Sequence, residues 1–283
     1  MKTPPSPTIL VLGAQGMLGH IVYHYLNNCY PNTTWGTTRG KNENKVFFNV
    51  DANSIKTVET INKNLSGIHY IINCIGILRA SKNLTEMAAV NAKFPHELGH
   101  FAKKNNCRVI HVSTDAVFAP NEKEVFEDTP PSPIDEYGRT KLQGEPHSPN
   151  AITIRTSLLG FDPLYHKGLL EWAMKKENKT INGYTNQQWS GCTTLQFAQL
   201  CESIIKTNSF QMMRKTSPVF HFSPLFSVSK HAILEMFLNL MNIDKTLTKA
   251  KAEPVTRLLQ THFPQLLFLK PQERNIKNAF EIV

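Results

Sequence analysis

The residues best suited to chemistry are a tyrosine and a lysine four positions apart, in the run Tyr137-Gly-Arg-Thr-Lys141. Residues at this spacing share one face of a helix, so the ammonium is expected to lower the pKa of Tyr137 toward neutrality. Such a phenol can exchange a proton with a carbonyl oxygen. The run Ser113-Thr114-Asp115 precedes it, and the Thr114 hydroxyl is expected to hold the same oxygen. Beside a nicotinamide, this combination predicts ketone reduction or alcohol oxidation.

A glycine motif near residue 13 predicts where a dinucleotide would bind. It lies between an apolar run, Ile9–Leu12, and a segment with helical spacing of apolar residues. Its first glycine allows a tight turn, its second the close approach of a pyrophosphate, and its third close packing of helix on strand. The helix N-terminus supplies unpaired N–H groups for the phosphates. The expected contacts are Gly13, Gln15, Gly16, Met17, Leu18 and Gly19.

The end of the second predicted strand distinguishes NAD from NADP. An acidic residue there would bind the ribose 2′-hydroxyl of NAD, whereas an arginine accommodates the 2′-phosphate of NADP. The run Trp35-Gly-Thr-Thr-Arg39-Gly-Lys41 contains no acidic residue. NADP, as NADPH, is therefore the expected cofactor, with Arg39 as its leading contact. A solvated loop arginine is the alternative interpretation.

The next two predicted strands also end where a cofactor would lie, because ligands bind at the carboxyl ends of parallel strands. The third strand end would receive the adenine, and the fourth would run beside the centre of the cofactor. Ordinary strand-to-helix turns explain either segment equally well. The residues concerned are Asp51 and Ala52 after the third strand, and Asn73, Cys74, Ile75 and Gly76 after the fourth.

The elements that must position these residues alternate between short apolar runs and helical segments over the first 157 residues. This alternation predicts an α/β fold, a Rossmann-type doubly wound parallel sheet. The expected strands are Thr8–Leu12, Thr34–Thr38, Val46–Val50, Tyr70–Cys74, Val109–Ser113 and Ile152–Thr156. The expected helices are Met17–Asn28, Asn53–Asn64, Thr85–Asn105 with an interruption at Pro95, and one that opens at Tyr137.

Two domains are expected: residues 1–157, which bind NADP and carry the catalytic residues, and residues 158–283, a smaller and mainly substrate-binding region. In the second domain, Leu158–Lys176 resembles a helix, whereas Asn178–Ser190 is polar and aromatic and suits a substrate loop. Segments near 191–225 are expected to pack back on the first domain.

Composition and charge limit the other possibilities. A chain of 283 residues that is 41% hydrophobic and 19% charged is ordinary for a globular protein. The net charge of +9 is spread without a basic tract interleaved with aromatic residues, so an anionic small ligand is expected and nucleic acid is not. Ile9–Leu12 is too short for a signal-peptide core or a membrane span, which predicts a cytoplasmic protein. His20 and His24 have no third ligand nearby, so no metal is expected.

Taken together, the motifs resemble the extended short-chain dehydrogenase/reductase superfamily, and within it the dTDP-4-dehydrorhamnose reductase-like nucleotide-sugar reductases. The resemblance covers residues 8–157 and continues more faintly to about residue 225. The runs that carry it are Ile9-Leu-Val-Leu-Gly-Ala-Gln-Gly-Met-Leu-Gly19, Val90-Asn91-Ala, Val112-Ser-Thr-Asp-Ala-Val-Phe118, Tyr137-Gly-Arg-Thr-Lys-Leu-Gln-Gly-Glu145 and Ile154-Arg-Thr-Ser157.

The resemblance implies roles for individual residues. Thr114, Tyr137 and Lys141 match the catalytic triad, and the latter two would also contact the cofactor. Asn91 matches the asparagine that supports the region of the active-site lysine and borders the cofactor. Arg155 and Thr156 match the strand that leads into the substrate pocket. The expected substrate contacts are Ser113, Thr114, Asp115, Arg155 and Trp189. Trp189 is included because it lies in the polar and aromatic segment Asn178–Ser190, where a packing role is the alternative.

The implied activity is NADPH-dependent reduction of the keto group of a nucleoside-diphosphate 4-keto-6-deoxy sugar, with a homodimer as one option for the assembly. Ala116 and Leu158 replace aromatic residues usual in the family, and the C-terminal part lacks the family's Arg-Pro-rich ending; these departures concern the identity of the sugar. A nucleotide-sugar epimerase or dehydratase is an alternative, although the Asp-Glu pair associated with dehydration is Asp115-Ala116 here. Another is a non-catalytic, NADP-binding regulatory subunit, like that of methionine adenosyltransferase.

Overall fold

The computed structural model describes residues 6–39, 47–49, 54–177, 179–224 and 227–267. The strands in these ranges, numbered in chain order, are β1 (Ile9–Leu12), β2 (Thr34–Thr38), β3 (Phe47–Asn49), β4 (Tyr70–Asn73), β5 (Arg108–Thr114), β6 (Glu124–Val125), β7 (Ala151–Thr156), β8 (Leu158–Leu159), β9 (Thr180–Tyr184), β10 (Gln188–Trp189), β11 (Cys192–Thr193), β12 (Val219–His221), β13 (Val228–Ser229), β14 (Thr246–Ala250) and β15 (Leu258–Leu259).

The helices in the same ranges are α1 (Met17–Cys29), α2 (Ile55–Asn64), α3 (Leu84–Met87), α4 (Phe94–Asn105), α5 (Glu136–Gln143), α6 (Leu169–Met174), α7 (Thr194–Lys206), α8 (Phe210–Thr216) and α9 (Lys230–Leu240). A π-helical turn, Ala88–Lys93, joins α3 to α4, and a 3₁₀ turn, Asp115–Val117, follows β5. None of the described helices has both the length and the hydrophobicity that a membrane span requires.

A seven-stranded sheet in the order β12-β7-β5-β4-β1-β2-β3 forms the centre of the molecule, and every adjacent pair is parallel. This confirms the predicted Rossmann-type sheet. The chain builds outward from β1 to β3 and then returns to β4 on the other side of β1. Ligands bind at such a switch point, beyond the carboxyl ends of the strands. The crevice between the ends of β1 and β4 is therefore where the fold favours a ligand.

The inner strands are buried on both faces, which explains the uninterrupted apolar sequence of β1 and the many apolar and β-branched residues of the others. In β1, Ile9 and Val11 contribute to a core shared with α1 and α7, whereas Leu10 and Leu12 contribute to a core shared with α2 and α4. Successive side chains of a strand point to opposite faces, so one short run serves both cores. From the second half of the chain, β12 joins the edge of this sheet and α7 packs against α1.

The predicted helix over Thr85–Asn105 is divided by the π-helical turn. Pro95 has no N–H to donate, and it lies in the first turn of α4, where that loss costs least. Helix α5 approaches the π-helical turn closely: a Cβ at Gly144 would lie 1.8 Å from the carbonyl oxygen of Asn91. The interruption was predicted at Pro95, and its form, a π-helical turn that receives another helix, was not.

The predicted helix over Leu158–Lys176 is wrong for most of its length. Strand β8 opens the segment and pairs with β11, and only Leu169–Met174 is helical. Pro163 and Gly168 explain the difference. Proline disfavours a helix interior, and Gly168 has a backbone φ of +140°, a value that residues other than glycine rarely adopt.

The polar segment Asn178–Ser190 was predicted to be a loop, and that prediction is also wrong. It contains β9, which pairs in parallel with β14, and β10, which pairs with β13. Thr180 lies opposite Thr246 in this register, so the partner strand is distant in sequence. Burial does alternate along β9, with Thr180 and Asn182 exposed, but Ile181 is the one aliphatic side chain on its buried face, so the sequence signal is weak.

The closing segment, residues 255–260, runs between two earlier parts of the chain. On one side, Val255 N donates to Asn186 O at 3.3 Å. On the other, Leu258 N donates to Lys123 O at 2.7 Å, and β15 pairs in parallel with β6. The closing segment therefore fixes the loop that follows β5.

Candidate active site

The carboxyl end of β5 and the first turns of α5 bring Thr114 and Tyr137 together. Helix α5 begins after Asp135, whose carboxylate accepts from Gly138 N at 2.8 Å and so caps the helix. Gly138 allows the helix to lie directly on the 3₁₀ turn after Thr114, because a Cβ there would be 2.3 Å from the carbonyl oxygen of Ala116. The Thr114 and Tyr137 side chains are hydrogen-bonded as a result.

Burial raises the pKa of Tyr137, which corrects the predicted decrease. The hydrogen bond from Thr114 opposes this rise, the Asp115 carboxylate adds to it, and Arg79 and Asp135 act in opposite senses. Lys141 is not among the groups that act on the pKa of this phenol, and its ammonium donates to the carbonyl oxygen of Val112 at 2.6 Å. A raised pKa keeps the phenol protonated at neutral pH, the state that a proton donor requires.

Lys141 lies at the base of the site with a side chain that is 5% exposed. Burial lowers the pKa of its ammonium to about 8, against the opposing effects of Glu145 and Cys74. The group is still mainly protonated at neutral pH. It can therefore offer donors to a ligand beside β5 while Val112 holds it in place.

A cleft of about 640 Å³ opens over the carboxyl ends of the strands. It brings together residues from the glycine turn, the ends of β2, β4 and β5, and helix α5, as the sequence predicted. The predicted site residues that line it are Gly16, Met17, Leu18, Arg39, Cys74, Ile75, Gly76, Ser113, Thr114, Tyr137 and Lys141.

Three predicted residues of the glycine turn are absent from this lining. Gly13 has φ +77° and makes the turn after β1. Gly19 allows α1 to approach that turn, because a Cβ at Gly19 would be 2.0 Å from the carbonyl oxygen of Gly13. Gln15 lies half-buried between them. The turn thus has the close backbone packing that the motif predicts, with Gly16 presented to the cleft.

Two predicted asparagines lie behind the cleft wall. Asn91 accepts from Ile77 N at 2.8 Å and donates to Ile77 O at 2.9 Å, so it braces the backbone after β4. Asn73 makes a 3.0 Å hydrogen bond with His111 Nδ1 and accepts from Ile75 N at 3.3 Å. Both side chains shape the segment that borders the cleft.

The structure corrects the predicted contact between Arg155 and substrate. The Arg155 guanidinium is buried, and its Nε and Nη2 each donate to Glu145 at 2.8 Å. Glu145 also accepts from Ser113 Oγ at 2.8 Å. Because both carboxylate oxygens hold this guanidinium inside the protein, Arg155 does not line the cleft.

Asp115 and Trp189 are likewise outside the cleft lining. Asp115 forms an ion pair with Arg257 at 2.8 Å. Trp189 donates from its indole N–H to Ser157 Oγ at 2.9 Å, and Ser157 does line the cleft. Asp51 and Ala52, the predicted adenine contacts, lie outside the described residues, as does Lys41.

Sequence reasoning missed the opposite wall of the cleft. It comes from the loop after β4 and from the segment that was predicted to be a helix. Asp162-Pro163 carried a turn signature that could have indicated a loop. The missed lining residues are Ile77, Leu78, Ala80, Ser81, Glu86, Val112, Ser157, Asp162, Tyr165 and Lys167. Thr156 and Leu158, which the resemblance associated with the substrate, also line the cleft.

The parallel sheet, the glycine turn at its switch point and the adjoining threonine, tyrosine and lysine define a Rossmann-type protein of the extended short-chain dehydrogenase/reductase class. Residues 7–265 match the model of the RmlD substrate binding domain family, and the chain belongs to that family. This confirms the resemblance that the sequence motifs indicated.

Several known proteins are similar to this chain. Methionine adenosyltransferase 2 subunit beta of Xenopus tropicalis is 28% identical over 152 residues, which are 50% of this chain and 43% of that protein. The probable low-salt glycan biosynthesis reductase Agl14 of Haloferax volcanii is 33% identical over 101 residues, 32% of this chain and 33% of that protein. The chain thus spans less than half the length of these curated relatives.

Among solved structures, a dTDP-4-dehydrorhamnose reductase of Bacillus anthracis in complex with NADP shares the fold, with a TM-score of 0.77, 18% identity and coverage of 98% of each chain.

Proposed function

We propose that this protein is an NADPH-dependent reductase of the keto group of a nucleoside-diphosphate 4-keto-6-deoxy sugar. The observation that carries the proposal is the convergence of Thr114, Tyr137 and Lys141 on one cleft at the switch point of the sheet. Residues 1–157 would hold the dinucleotide and the catalytic groups, and residues 158–283 would serve mainly the substrate. The proposed setting is the cytoplasm, without nucleic acid or membrane.

The residues of the cleft fit a dinucleotide. The glycine turn presents the N-terminus of α1, whose N–H groups suit a diphosphate, and Gly16 leaves open space where a Cβ would meet only Gly13 O at 3.6 Å. Exposed Arg39 lines the same cleft and suits the 2′-phosphate. Lys141 suits the ribose next to the nicotinamide. The bound NADPH would supply the hydride.

The protein's own groups would manage the proton and the carbonyl oxygen. Tyr137, protonated because burial raises its pKa, would donate the proton to the oxygen of the keto group. Thr114 would donate a hydrogen bond to the same oxygen, and Lys141 would hold the neighbouring ribose by charge. Ser113, Asp115 and Trp189 remain proposed substrate-side residues, with Trp189 acting through Ser157.

Relatives that are named as subunits of methionine adenosyltransferase favour a second candidate, a non-catalytic, NADP-binding regulatory subunit. In that case the cleft would bind the dinucleotide, and a protein partner would replace the sugar. The dehydratase alternative is disfavoured, since Ala116 occupies the position where dehydration would need a second carboxylate.

The proposal is tested by mixing the protein and NADPH with a panel of nucleoside-diphosphate 4-keto-6-deoxy sugars and following NADPH absorbance. We expect stoichiometric oxidation with at least one sugar. Tyr137→Phe should slow turnover about a hundredfold or more at nearly unchanged NADPH affinity, because it removes the proton donor and leaves the glycine turn intact. Tight NADPH binding without turnover on any sugar, together with recovery of a stable protein partner, would favour the regulatory subunit.

A further inference from the structure

The closing segment brings one charged side chain, Arg257, to the end of β5. Its Nε donates to Asp115 Oδ2 at 2.8 Å, and its Nη1 donates to the carbonyl oxygen of Phe118 at 3.3 Å. The ion pair is largely shielded from water, with side chains that are 12% exposed for Arg257 and 19% for Asp115. A residue remote in sequence therefore neutralises the carboxylate that follows Thr114.

The other oxygen of the same carboxylate holds Thr114. Thr114 Oγ1 donates to Asp115 Oδ1 at 3.2 Å and accepts from Ala116 N at 3.2 Å. A hydroxyl has a single proton to donate, so Asp115, Tyr137 and a substrate oxygen compete for the proton of Thr114. An ionised carboxylate without a counter-ion is a strong competitor for that proton, and pairing with a guanidinium weakens it.

We propose that Arg257 is a positioning residue of the active site: by pairing with Asp115 it weakens that carboxylate as an acceptor, so that the Thr114 hydroxyl can turn from Asp115 to the substrate oxygen when substrate binds. The inference rests on the proposed reductase function, because it assigns that hydroxyl to a substrate. Arg257 touches neither the cleft nor Tyr137 and acts entirely through Asp115.

The backbone around Arg257 holds it in place independently of the ion pair. Thr256 N donates to Pro120 O at 2.8 Å, and Leu258 N donates to Lys123 O at 2.7 Å. Thr256 Oγ1 adds a 3.0 Å bond to Glu122 O. Since these bonds fix both neighbours of Arg257, Arg257→Gln is expected to keep the closing segment in position while it removes the charge.

Tyr137 provides a second way to observe the ion pair. Asp115 raises the pKa of this phenol, so removal of its counter-ion should raise that pKa further. Arg79 and Asp135 also act on Tyr137, and Lys230 lies in the field of the ion pair and of Arg79. These groups are unchanged in an Arg257 variant, so a difference between variant and wild type reports on Arg257.

The test is a double-mutant cycle with Arg257→Gln, Asp115→Asn and the pair of substitutions together. Arg257→Gln should lower kcat about tenfold or more at unchanged NADPH affinity, the scale of one hydrogen bond to a charged group. In the Asp115→Asn background the same change should have little effect, because no carboxylate charge is left to neutralise. Arg257→Lys should recover part of the rate. Arg214→Gln is the matched control, since Arg214 is half-buried and donates to Ser148 O at 2.9 Å away from the cleft.

A readout that needs no substrate separates this inference from the proposed reaction. The ionisation of Tyr137 can be followed by alkaline difference absorbance of each protein against its Tyr137→Phe counterpart. We expect a higher pKa in Arg257→Gln and no such rise when Asp115→Asn is also present. An unshifted pKa, or equal loss of kcat in both backgrounds, would reduce Arg257 to a structural role. Failure of all keto sugars to turn over would instead contradict the proposed function.

Discussion

At the scale of single residues, the acid and the cation of the site have separate tasks. Tyr137 carries a pKa raised by burial, and Lys141 carries one lowered by burial to about 8. The Lys141 ammonium donates its hydrogen bond to the carbonyl oxygen of Val112 and not to the Tyr137 hydroxyl. A protonated phenol beside a protonated ammonium therefore exists at neutral pH. That state suits proton donation in a reduction better than proton removal in an oxidation.

Arg39 provides a prediction about the cofactor. Arg39→Ala should narrow the preference for NADPH over NADH by about ten- to a hundredfold, because a charged contact to phosphate contributes roughly 1.5–3 kcal/mol. Fluorescence titration of both nucleotides measures this. Lys104→Ala, an exposed cation on α4 that does not line the cleft, should leave the preference unchanged. Tighter binding of NADH by the wild-type protein would contradict the assignment of NADP.

The residues that sequence could identify are those with fixed local spacing. The glycine turn and the pair Tyr137 and Lys141 carry their chemistry within single elements, so their positions in the cleft followed from pattern alone. Arg155 was wrongly predicted to contact substrate. It forms an ion pair with Glu145, which lies beyond the end of α5, and no local pattern in the sequence shows this pairing. Asp162 and Arg257 were missed for the same reason: each acts through a loop whose path is set by tertiary contacts.

At the scale of elements, the fit between α5 and the π-helical turn is the most demanding contact near the site. Gly144→Ala should destabilise the protein by about 3 kcal/mol or more, because its Cβ would overlap Asn91 O and backbone cannot yield as a side chain can. Urea unfolding measures the loss. Gly67→Ala is the comparison: its φ is +116° but nothing lies within 4 Å of its Cβ, so only about 1–2 kcal/mol of backbone strain is expected. Equal losses would show that the overlap is relieved.

Elements were predictable where burial is local and were missed where pairing is distant. The strands of the main sheet up to Thr156 were predicted to within one or two residues, because two-sided burial favours short runs of apolar and β-branched residues. The short strands β9, β10 and β14 pair at long range, and their exposed faces carry polar residues. Their sequences therefore resemble loops until the partner strand is known.

At the scale of the whole molecule, His221 joins the main sheet to the closing segment. Its Nδ1 lies 3.1 Å from Val125 O and 2.9 Å from Gln260 O. Burial lowers the pKa of this imidazole to about 4, with Arg155 acting in the same direction and Glu127 opposing it. The folded protein thus holds a neutral ring across a range in which the unfolded chain, with a histidine pKa of about 6.5, binds a proton.

This difference predicts a loss of stability in acid. The folded-state pKa is depressed, so the contribution of His221 is fully present above about pH 6.5 and declines as the pH falls toward 4, by about 3 kcal/mol in total. Urea unfolding from pH 7 to pH 4.5 should show His221→Gln losing less stability than wild type over that range. His100→Gln, on the exposed surface of α4, should follow wild type. Parallel curves for wild type and His221→Gln would contradict the prediction.

The closing segment also bears on the order of events during protein synthesis. Asp115 and Arg257 are 142 positions apart, so the ribosome has made the glycine turn, β5 and α5 well before it makes the segment that fixes the loop after β5. Nascent chains fold from the N-terminal side as they emerge. The residues proposed to hold the dinucleotide are therefore synthesised before Arg257, and α7 and β12, which complete the core around them, also precede it. In this molecule, the parts that would hold a ligand are made before the residue that would set the hydroxyl for its transformation.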